Sequence, residues 1–321
     1  MKRNYIPVLL SVLAMLSACG EEGGDKSVNE QIIAFKAQAP VLKSVVAHDD
    51  TTMYWSAYDN IAVYMFTDDE CVESDLAEIN FTSVTLKSAS FYPKTFKTLD
   101  HWKDAASETS VFRAYGPAQQ VAGAEGWQVP VEVPSVQTGE FGRHQILCSS
   151  EGLLSSVVNM TFFPVTAQFA LRLNLTRESL SDACKIVKVE MTFNGGNVTG
   201  SNRLDLEEGR LVDPAEGNKV TVVLEEPIRI SKAISENEPS HFNQYITCAL
   251  IPSETVESVS VVVYDRNGNV FTTEASIPSR VLQAGRKYSC DAFFYLDKII
   301  ANDILDSDAD DGFGPDWEIE L

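Results

Sequence analysis

The sequence lacks the residue patterns that most enzyme and metal sites need. Its 321 residues include 4 histidines, and no two of these stand at the spacing of metal ligands. None of its 6 cysteines forms a CxxC pair, which excludes zinc-ribbon and thioredoxin-like sites. The sequences GxSxG, HExxH and GxGxxG and the Walker loop are also missing. We therefore predict neither an enzyme nor a bound cofactor.

Basic residues are scarce as well. Lysine and arginine number 25 against 46 aspartates and glutamates, which gives a formal net charge of −21. A body this acidic is repelled by nucleic acid and by anionic bilayer surfaces. Nucleic acid is therefore excluded as a partner.

One acidic segment imitates part of a calcium loop. Asp306, Asp308 and Asp310 follow its spacing, but Gly312 comes one residue late and Trp317 stands where the last glutamate belongs. The three aspartates are weak calcium candidates, and the alternative is a solvated acidic linker. We predict no metal centre.

The first 18 residues read as a signal peptide. Lys2 and Arg3 precede an apolar run over residues 6–16, and a run of about 10 apolar residues is too short for a membrane span of about 20. The small residue Ala18 stands directly before Cys19. This ending resembles a bacterial lipoprotein signal, which implies cleavage between Ala18 and Cys19 and a diacylglycerol on the Cys19 sulfur.

Five cysteines remain beside Cys19, an odd number that cannot all pair within the chain. We predict that they serve as small apolar residues in strands, as Cys248 does in its apolar surroundings. The alternative that two of these cysteines form one disulfide stays open.

Alternation of apolar and less apolar residues predicts strands along most of the chain. In the candidate first strand, Ile33, Phe35 and Ala37 share one face. Helical patterns are few, and residues 75–79 are one predicted short piece. Many short strands separated by Gly, Pro and Asn turns favour an all-β fold of antiparallel β-sandwiches.

The chain divides into four predicted parts. A signal peptide over 1–18 is followed by a flexible Gly-rich and acidic tether over 19–30. An N-terminal β-sandwich domain covers 31–155 and a C-terminal one covers 156–321, with the boundary placed near residue 155.

The last five residues alternate once more. Trp317, Ile319 and Leu321 share one face of a predicted strand. One interpretation is an edge strand on its own domain. The other is a strand offered to a partner's groove by β-augmentation.

Several local patterns resemble, in order, the fimbrillins and fimbrillin-like (major fimbrial subunit type) lipoproteins of Bacteroidales. These are Ile33-Ala34-Phe35, Tyr54-Trp55 before Asp59-Asn60-Ile61, Phe112-Arg113-Ala114-Tyr115-Gly116-Pro117, Pro134-x-x-Gln137, and Ala284-Gly285-Arg286-Lys287-Tyr288. The resemblance implies two tandem transthyretin-like domains. It also implies assembly into pili by donor-strand exchange, in which a protease removes the first strand and a strand of another subunit fills its groove.

The role within a pilus follows from a missing residue. The best-known relatives lose their first strand to an arginine-specific protease, yet no arginine lies between Arg3 and Arg113. Either another protease acts, or the first strand stays. A chain that keeps both the lipid and the first strand cannot accept a donor there. We therefore expect an anchor or accessory subunit rather than a stalk subunit, held by lipid in the outer membrane and facing the exterior.

Two other roles stay open. One is a surface glycan-binding lipoprotein of a polysaccharide-uptake system, which would need exposed aromatic platforms; Trp55, Trp102, Trp127 and Trp317 are the candidates, with Trp55 expected in the core and Trp102 and Trp127 in polar loops. The other is a tip adhesin for a host or bacterial surface ligand. Thr51 also resembles an O-glycosylation site.

Overall fold

Strands dominate the part of the chain that the structure, a computed structural model, describes. That part comprises residues 31–39, 41–42, 51–52, 55, 59–79, 88–138, 144–175, 185–229, 245–252, 255–294, 299–301 and 305–306, all within the compact unit Gln31–Leu321. The predicted signal peptide 1–18 and tether 19–30 lie outside the described residues.

The first half of the chain contributes twelve strands and a short helix. The strands are β1 (Ala34–Gln38), β2 (Val41–Leu42), β3 (Thr51–Thr52), β4 (Asn60–Thr67), β5 (Glu70–Ile79), β6 (Ser88–Pro93), β7 (Val111–Gly116), β8 (Gln128–Val133), β9 (Val136–Thr138), β10 (Leu147–Ser149), β11 (Gly152–Leu153) and β12 (Val157–Pro164). The helix is α1 (Leu99–Ala105), between β6 and β7.

The second half contributes eleven strands among the described residues. They are β13 (Ala167–Leu175), β14 (Lys185–Asn194), β15 (Gly200–Asp205), β16 (Arg210–Leu211), β17 (Lys219–Arg229), β18 (Tyr245–Leu250), β19 (Val256–Asp265), β20 (Val270–Arg280), β21 (Lys287–Phe294), β22 (Ile299–Ala301) and β23 (Leu305–Asp306).

Seven strands of the first half close into a ring. Their order is β10-β12-β1-β6-β5-β4-β7, and β7 pairs with β10 to complete the circuit. Strand β11 also pairs with β7, at the start of that strand. Closure removes exposed strand edges, which are sites of unwanted pairing. The ring surrounds an apolar core that includes Phe35, Phe91, Phe112 and Trp102.

The second half forms a sandwich of two sheets. One sheet has the order β18-β13-β21-β22, with β23 also on β21, and the other has the order β20-β19-β14-β17-β9. Their inner faces meet in one core, where the rings of Phe169 and Phe193 lie 5.5 Å apart. A third sheet, β16-β15-β8, and the pair β2-β3 complete the described pairings.

The predicted all-β class is confirmed, whereas the purely antiparallel character is wrong. Three ladders are parallel: β1 with β12, β13 with β21, and β17 with β9. The alternation of side chains is the same in parallel and antiparallel strands, so periodicity alone does not distinguish them.

The pairing crosses the predicted domain boundary in both directions. Strand β12, which follows residue 155, lies in the ring beside β1. Strands β8 and β9, which precede residue 155, pair with β15 and β17 of the second half. The division into 31–155 and 156–321, and its transthyretin-like topology, remain predictions.

The predicted helical piece at residues 75–79 is wrong. These residues end β5, with Asp75, Ala77 and Ile79 buried at a period of two. The Asp75 carboxylate accepts hydrogen bonds from the backbone N–H groups of Leu76, Thr95 and Phe96, each at 2.8 Å. Because these three donors satisfy the carboxylate, Asp75 can be buried on the inner face of a strand. The sequence alone had favoured an exposed position for this acidic residue.

The cysteines of the described residues serve mainly as apolar side chains. Cys148, Cys248 and Cys290 are buried in strands, and Cys71 is half-buried. Burial raises the pKa of the Cys148 thiol to about 12 and raises that of Cys248 as well, so both stay protonated near neutral pH. Within the described ranges, no helix is long and apolar enough to cross a membrane.

The Gln137 side chain joins the two sheets of the sandwich. From β9 its amide donates to the Ala249 carbonyl at 2.8 Å and accepts from the Ala249 N–H at 2.9 Å, on β18 of the opposite sheet. It also donates to the Pro134 carbonyl at 3.0 Å. Gln137 is 1% exposed. The side-chain amide therefore completes the backbone pairing of one edge residue as a peptide group would.

Replacement of Gln137 by Ala is expected to cost about 2–4 kcal/mol of unfolding free energy, because two buried backbone groups of Ala249 lose their partners. Urea unfolding of the chain beginning at residue 20 measures this. Val136→Ala, at a neighbour that is 60% exposed, is the control and should change stability by less than about 0.5 kcal/mol. Equal effects of the two substitutions would contradict this role.

Replacement of Gly152 by Ala is expected to destabilise the ring by about 1–3 kcal/mol through overpacking. A Cβ at Gly152 would lie 2.5 Å from Val158 Cγ1 and 3.1 Å from Met160 Cγ. Gly123→Ala is the matched control, because no atom lies within 4 Å of its Cβ position. Thermal unfolding of both variants tests this expectation. The expectation is wrong if the Gly152→Ala variant unfolds at the same temperature as the wild type.

Candidate functional site at the first strand

The candidate site is the position of β1 within the ring. Strand β1 runs parallel to β12 on one side and antiparallel to β6 on the other, with Ala37 between Met160 and Ala89. Before the strand begins, the Ile33 N–H donates to the Lys97 carbonyl at 3.1 Å. A strand that is paired on both sides cannot leave without opening two ladders.

The inward face of this strand is fully buried. Ile33, Phe35 and Ala37 have 0% exposure, whereas Lys36 and Gln38 are exposed on the outer face. The structure thus brings together the three residues of the candidate first strand on one face. We call the space that β1 occupies, between β6 and β12, the first-strand slot.

Phe35 fills a large compartment of the slot. Its ring lies 5.9 Å from that of Trp102 and 5.2 Å from that of Phe112, both edge to face. The Trp102 indole N–H donates to the Phe96 carbonyl at 2.7 Å, which fixes the ring in place. Such aromatic contacts stabilise a core beyond the area that they bury.

Trp55 occupies the neighbouring part of the slot. Its ring lies 5.1 Å from Phe91 on β6 and 5.1 Å from Phe162 on β12, both edge to face. Trp55 is 2% exposed, and its indole N–H has no hydrogen-bond partner among the described residues. The slot therefore contains one buried donor that the native strand leaves unsatisfied.

Helix α1 closes one end of the slot. Its first N–H, on Leu99, donates to the Gln31 carbonyl at 2.7 Å. His101 stacks on Phe96 at 4.1 Å and pairs with Glu73 at 2.9 Å, on the side of β5. The helix thus holds the chain directly before β1.

The chemistry that this site can perform is the binding of an extended strand. Without β1, the facing backbone groups of β6 and β12 would lose their partners, and Phe91, Val158 and Met160 would meet water. Both losses are unfavourable and both are reversed by any strand of matching side chains.

Most of the other predicted site residues are outside the part of the chain that the structure describes. Cys19, Ala18, Trp317, Ile319 and Leu321 are outside the described residues, as are Asp308 and Asp310. Asp306 lies on β23, opposite Tyr288 of β21. In the described ranges, no group of three or more His, Cys, Asp or Glu residues is placed to hold a metal ion. Thr51 pairs with Leu42 in the β2-β3 ladder.

The described tryptophans do not form the exposed aromatic platform that the alternative glycan-binding role would need. Trp102, predicted in a polar loop, lies in α1 with 0% exposure, because it packs into the ring beside Phe35. Trp127 stacks on Phe66 at 4.0 Å and donates to Asp69 at 3.0 Å. Trp55 lies in the core, as expected.

Sequence reasoning missed the contact of Trp102 with the first strand and the buried position of Asp75 on β5. A signal for Trp102 existed, since Leu99 and Trp102 stand three residues apart, at the spacing of one helix face. The role of Asp75 had no local signal, because two of its three donors lie about 20 residues away.

The fold and site define an all-β protein whose first strand completes its N-terminal ring. The model of the fimbrillin-like family matches residues 46–300, and the chain belongs to this family. No sequence among the curated proteins matches it.

Solved structures of Bacteroides proteins share the fold. The chain is similar to a candidate cell adhesion protein of Bacteroides uniformis, with 15% identity, a TM-score of 0.55, and coverage of 87% of this chain and 99% of that one. A candidate cell adhesion protein of Bacteroides ovatus has 13% identity, a TM-score of 0.53, and coverage of 88% and 99%. At such low sequence identity, this structural similarity shows a common fold alone.

Replacement of Phe35 by Ala is expected to cost about 3–5 kcal/mol, because it leaves a cavity between Trp102 and Phe112. The exposed neighbour Lys36→Ala is the control and should cost less than about 0.5 kcal/mol. Urea unfolding of both variants gives the comparison. A Phe35→Ala chain as stable as Lys36→Ala would show that the first strand does not support the ring.

Proposed function

We propose that this chain is a cell-surface fimbrial subunit that assembles through β-strand donation and supports adhesion. Its role is structural and not enzymatic, and its partners are other fimbrial subunits. Membership of the fimbrillin-like family supports the fimbrial role. The position of β1, buried between β6 and β12, is the observation that supports strand exchange.

Within the fimbria, we assign the chain to the anchor or an accessory position. The sequence from residue 4 to residue 112 holds no arginine at which the first strand would be released. The lipid predicted on Cys19 therefore stays connected through the tether to β1. Such a chain keeps its own slot filled and offers the strand that contains Trp317, Ile319 and Leu321 to the next subunit.

The proposed location is the outer membrane, with the protein facing the cell exterior. A net charge of −21 gives no attraction to anionic lipid. The acyl chains on Cys19 would supply the membrane affinity instead.

The fibres of the producing bacterium test this proposal. Sheared surface fibres, separated on denaturing gels without heating, should contain this chain in high-mass species that collapse to the monomer on boiling. Mass spectrometry of the chain in these species should find a lipidated N-terminal Cys19. An N-terminus beyond residue 39 would contradict the anchor role, and the absence of the chain from all high-mass species would contradict the fimbrial role.

A Cys19→Ser variant provides the control for anchoring. Because it cannot carry the thioether-linked lipid, fibres that contain it should appear in the culture medium rather than on cells. Immunoblots of both fractions measure the ratio. Retention of the variant fibres on cells would contradict the assigned anchor position.

A further inference from the structure

A small polar cavity lies away from the first-strand slot, on the face of β13 and β18 that points away from the sandwich core. Gln168 on β13 pairs with Ala249 on β18, and Thr247 lies two residues before Ala249, on the same face. Gln137 and Gln145 line the cavity as well. Its volume is about 10 Å³, which is room for one water molecule.

Two oxygen atoms at this cavity have no hydrogen-bond partner among the described residues. They are Oε1 of Gln145 and Oε1 of Gln168. Gln145 is 4% exposed and Gln168 is 2% exposed. A buried acceptor without a donor is unfavourable, and native proteins usually satisfy it. Gln137 differs from these two, because its Oε1 accepts from the Ala249 N–H at 2.9 Å.

The surroundings limit the occupant of the cavity to an uncharged donor. No aspartate, glutamate, lysine or arginine is found among the described residues that line it. His144 is neutral, because its Nε2 accepts from the Thr138 N–H at 2.9 Å and therefore carries no proton. Burial raises the pKa of the Cys248 thiol, which is neutral as well. A cation would be buried here without a counter-charge, and an anion would meet two carbonyl oxygens.

We propose that one water molecule binds in this cavity and donates one hydrogen bond to Gln145 Oε1 and one to Gln168 Oε1. Its two hydrogens match the two unsatisfied acceptors, and ordered water commonly fills this role at buried polar groups. Gln145 lies two residues before β10 of the ring, and Gln168 lies on β13 of the sandwich. The water therefore bridges the ring and the sandwich, and this bridge does not depend on the proposed strand exchange.

Direct hydrogen bonds hold the backbone beside both glutamines. The Ile146 N–H donates to Thr166 Oγ1 at 3.3 Å, and the Ile146 carbonyl accepts from the Val165 N–H at 2.9 Å. Ile146 follows Gln145 directly, while Val165 and Thr166 connect β12 to β13. The two carboxamides are thus placed at this junction independently of the water.

A high-resolution crystal structure of the Cys19→Ser chain tests the proposal directly. It should show one electron-density peak within hydrogen-bond distance of both Oε1 atoms. A soak with rubidium ions distinguishes water from a cation, because rubidium at this position would give an anomalous signal. The expected result is a peak without an anomalous signal. A rubidium signal at this position, or no peak between the two glutamines, would overturn the proposal.

The sign of a stability change tests the water a second time, in solution. Gln168→Met removes the oxygen and keeps the approximate length of the side chain. Because it takes away one of the two acceptors of the water, it should lower Tm by about 2–6 °C. If no water is bound, the same change removes an unsatisfied buried oxygen, so an equal or higher Tm would contradict the proposal. Gln38→Met, at an exposed position of β1, is the control and should change Tm by less than about 1 °C.

Gln145→Met completes a double-mutant cycle with Gln168→Met. Alone it should lower Tm by a similar amount. The double variant should lose less than the sum of the two single losses, because it leaves no buried oxygen for the water to satisfy. Additive losses would show that the two side chains share no water. The crystal result decides the proposal even where a variant does not fold.

Discussion

The pairing of β1 with both β6 and β12 is the constraint on which the N-terminal ring depends. It closes the ring between its first strand and a strand more than 120 residues later in the sequence. It also buries Phe35 and Ala37, and the Phe35 ring packs edge to face against Trp102. One short segment therefore supplies both the backbone partners and the core contacts that β6 and β12 would otherwise lack.

Two groups of aromatic rings pack in the core of the ring. Phe35 on β1 lies edge to face against Trp102 and Phe112, and Trp55 lies edge to face against Phe91 and Phe162.

Much of this fold could be predicted from the sequence, because alternation at period two is a strong signal. The first strand followed from it, whereas the burial of Trp55 was expected because its segment resembles a strand of the fimbrillin-like family. Parallel pairing of β1 with β12 did not, since direction leaves no mark on alternation. The capping of Ala249 by Gln137 and the triple acceptor at Asp75 also join residues distant in sequence, and a single sequence gives no sign of which distant groups meet.

In the intact chain β1 keeps its slot filled, and we propose that a matching strand can take its place once β1 is cut from the rest of the chain. A protease site introduced between β2 and β3 allows the folded chain to be cut after β1. Mass spectrometry under native conditions then measures exchange of the released segment with an isotope-labelled peptide of residues 31–39. The labelled peptide is expected to enter the slot while the rest of the ring keeps its protection against hydrogen exchange. Entry of the peptide only after global unfolding would contradict it.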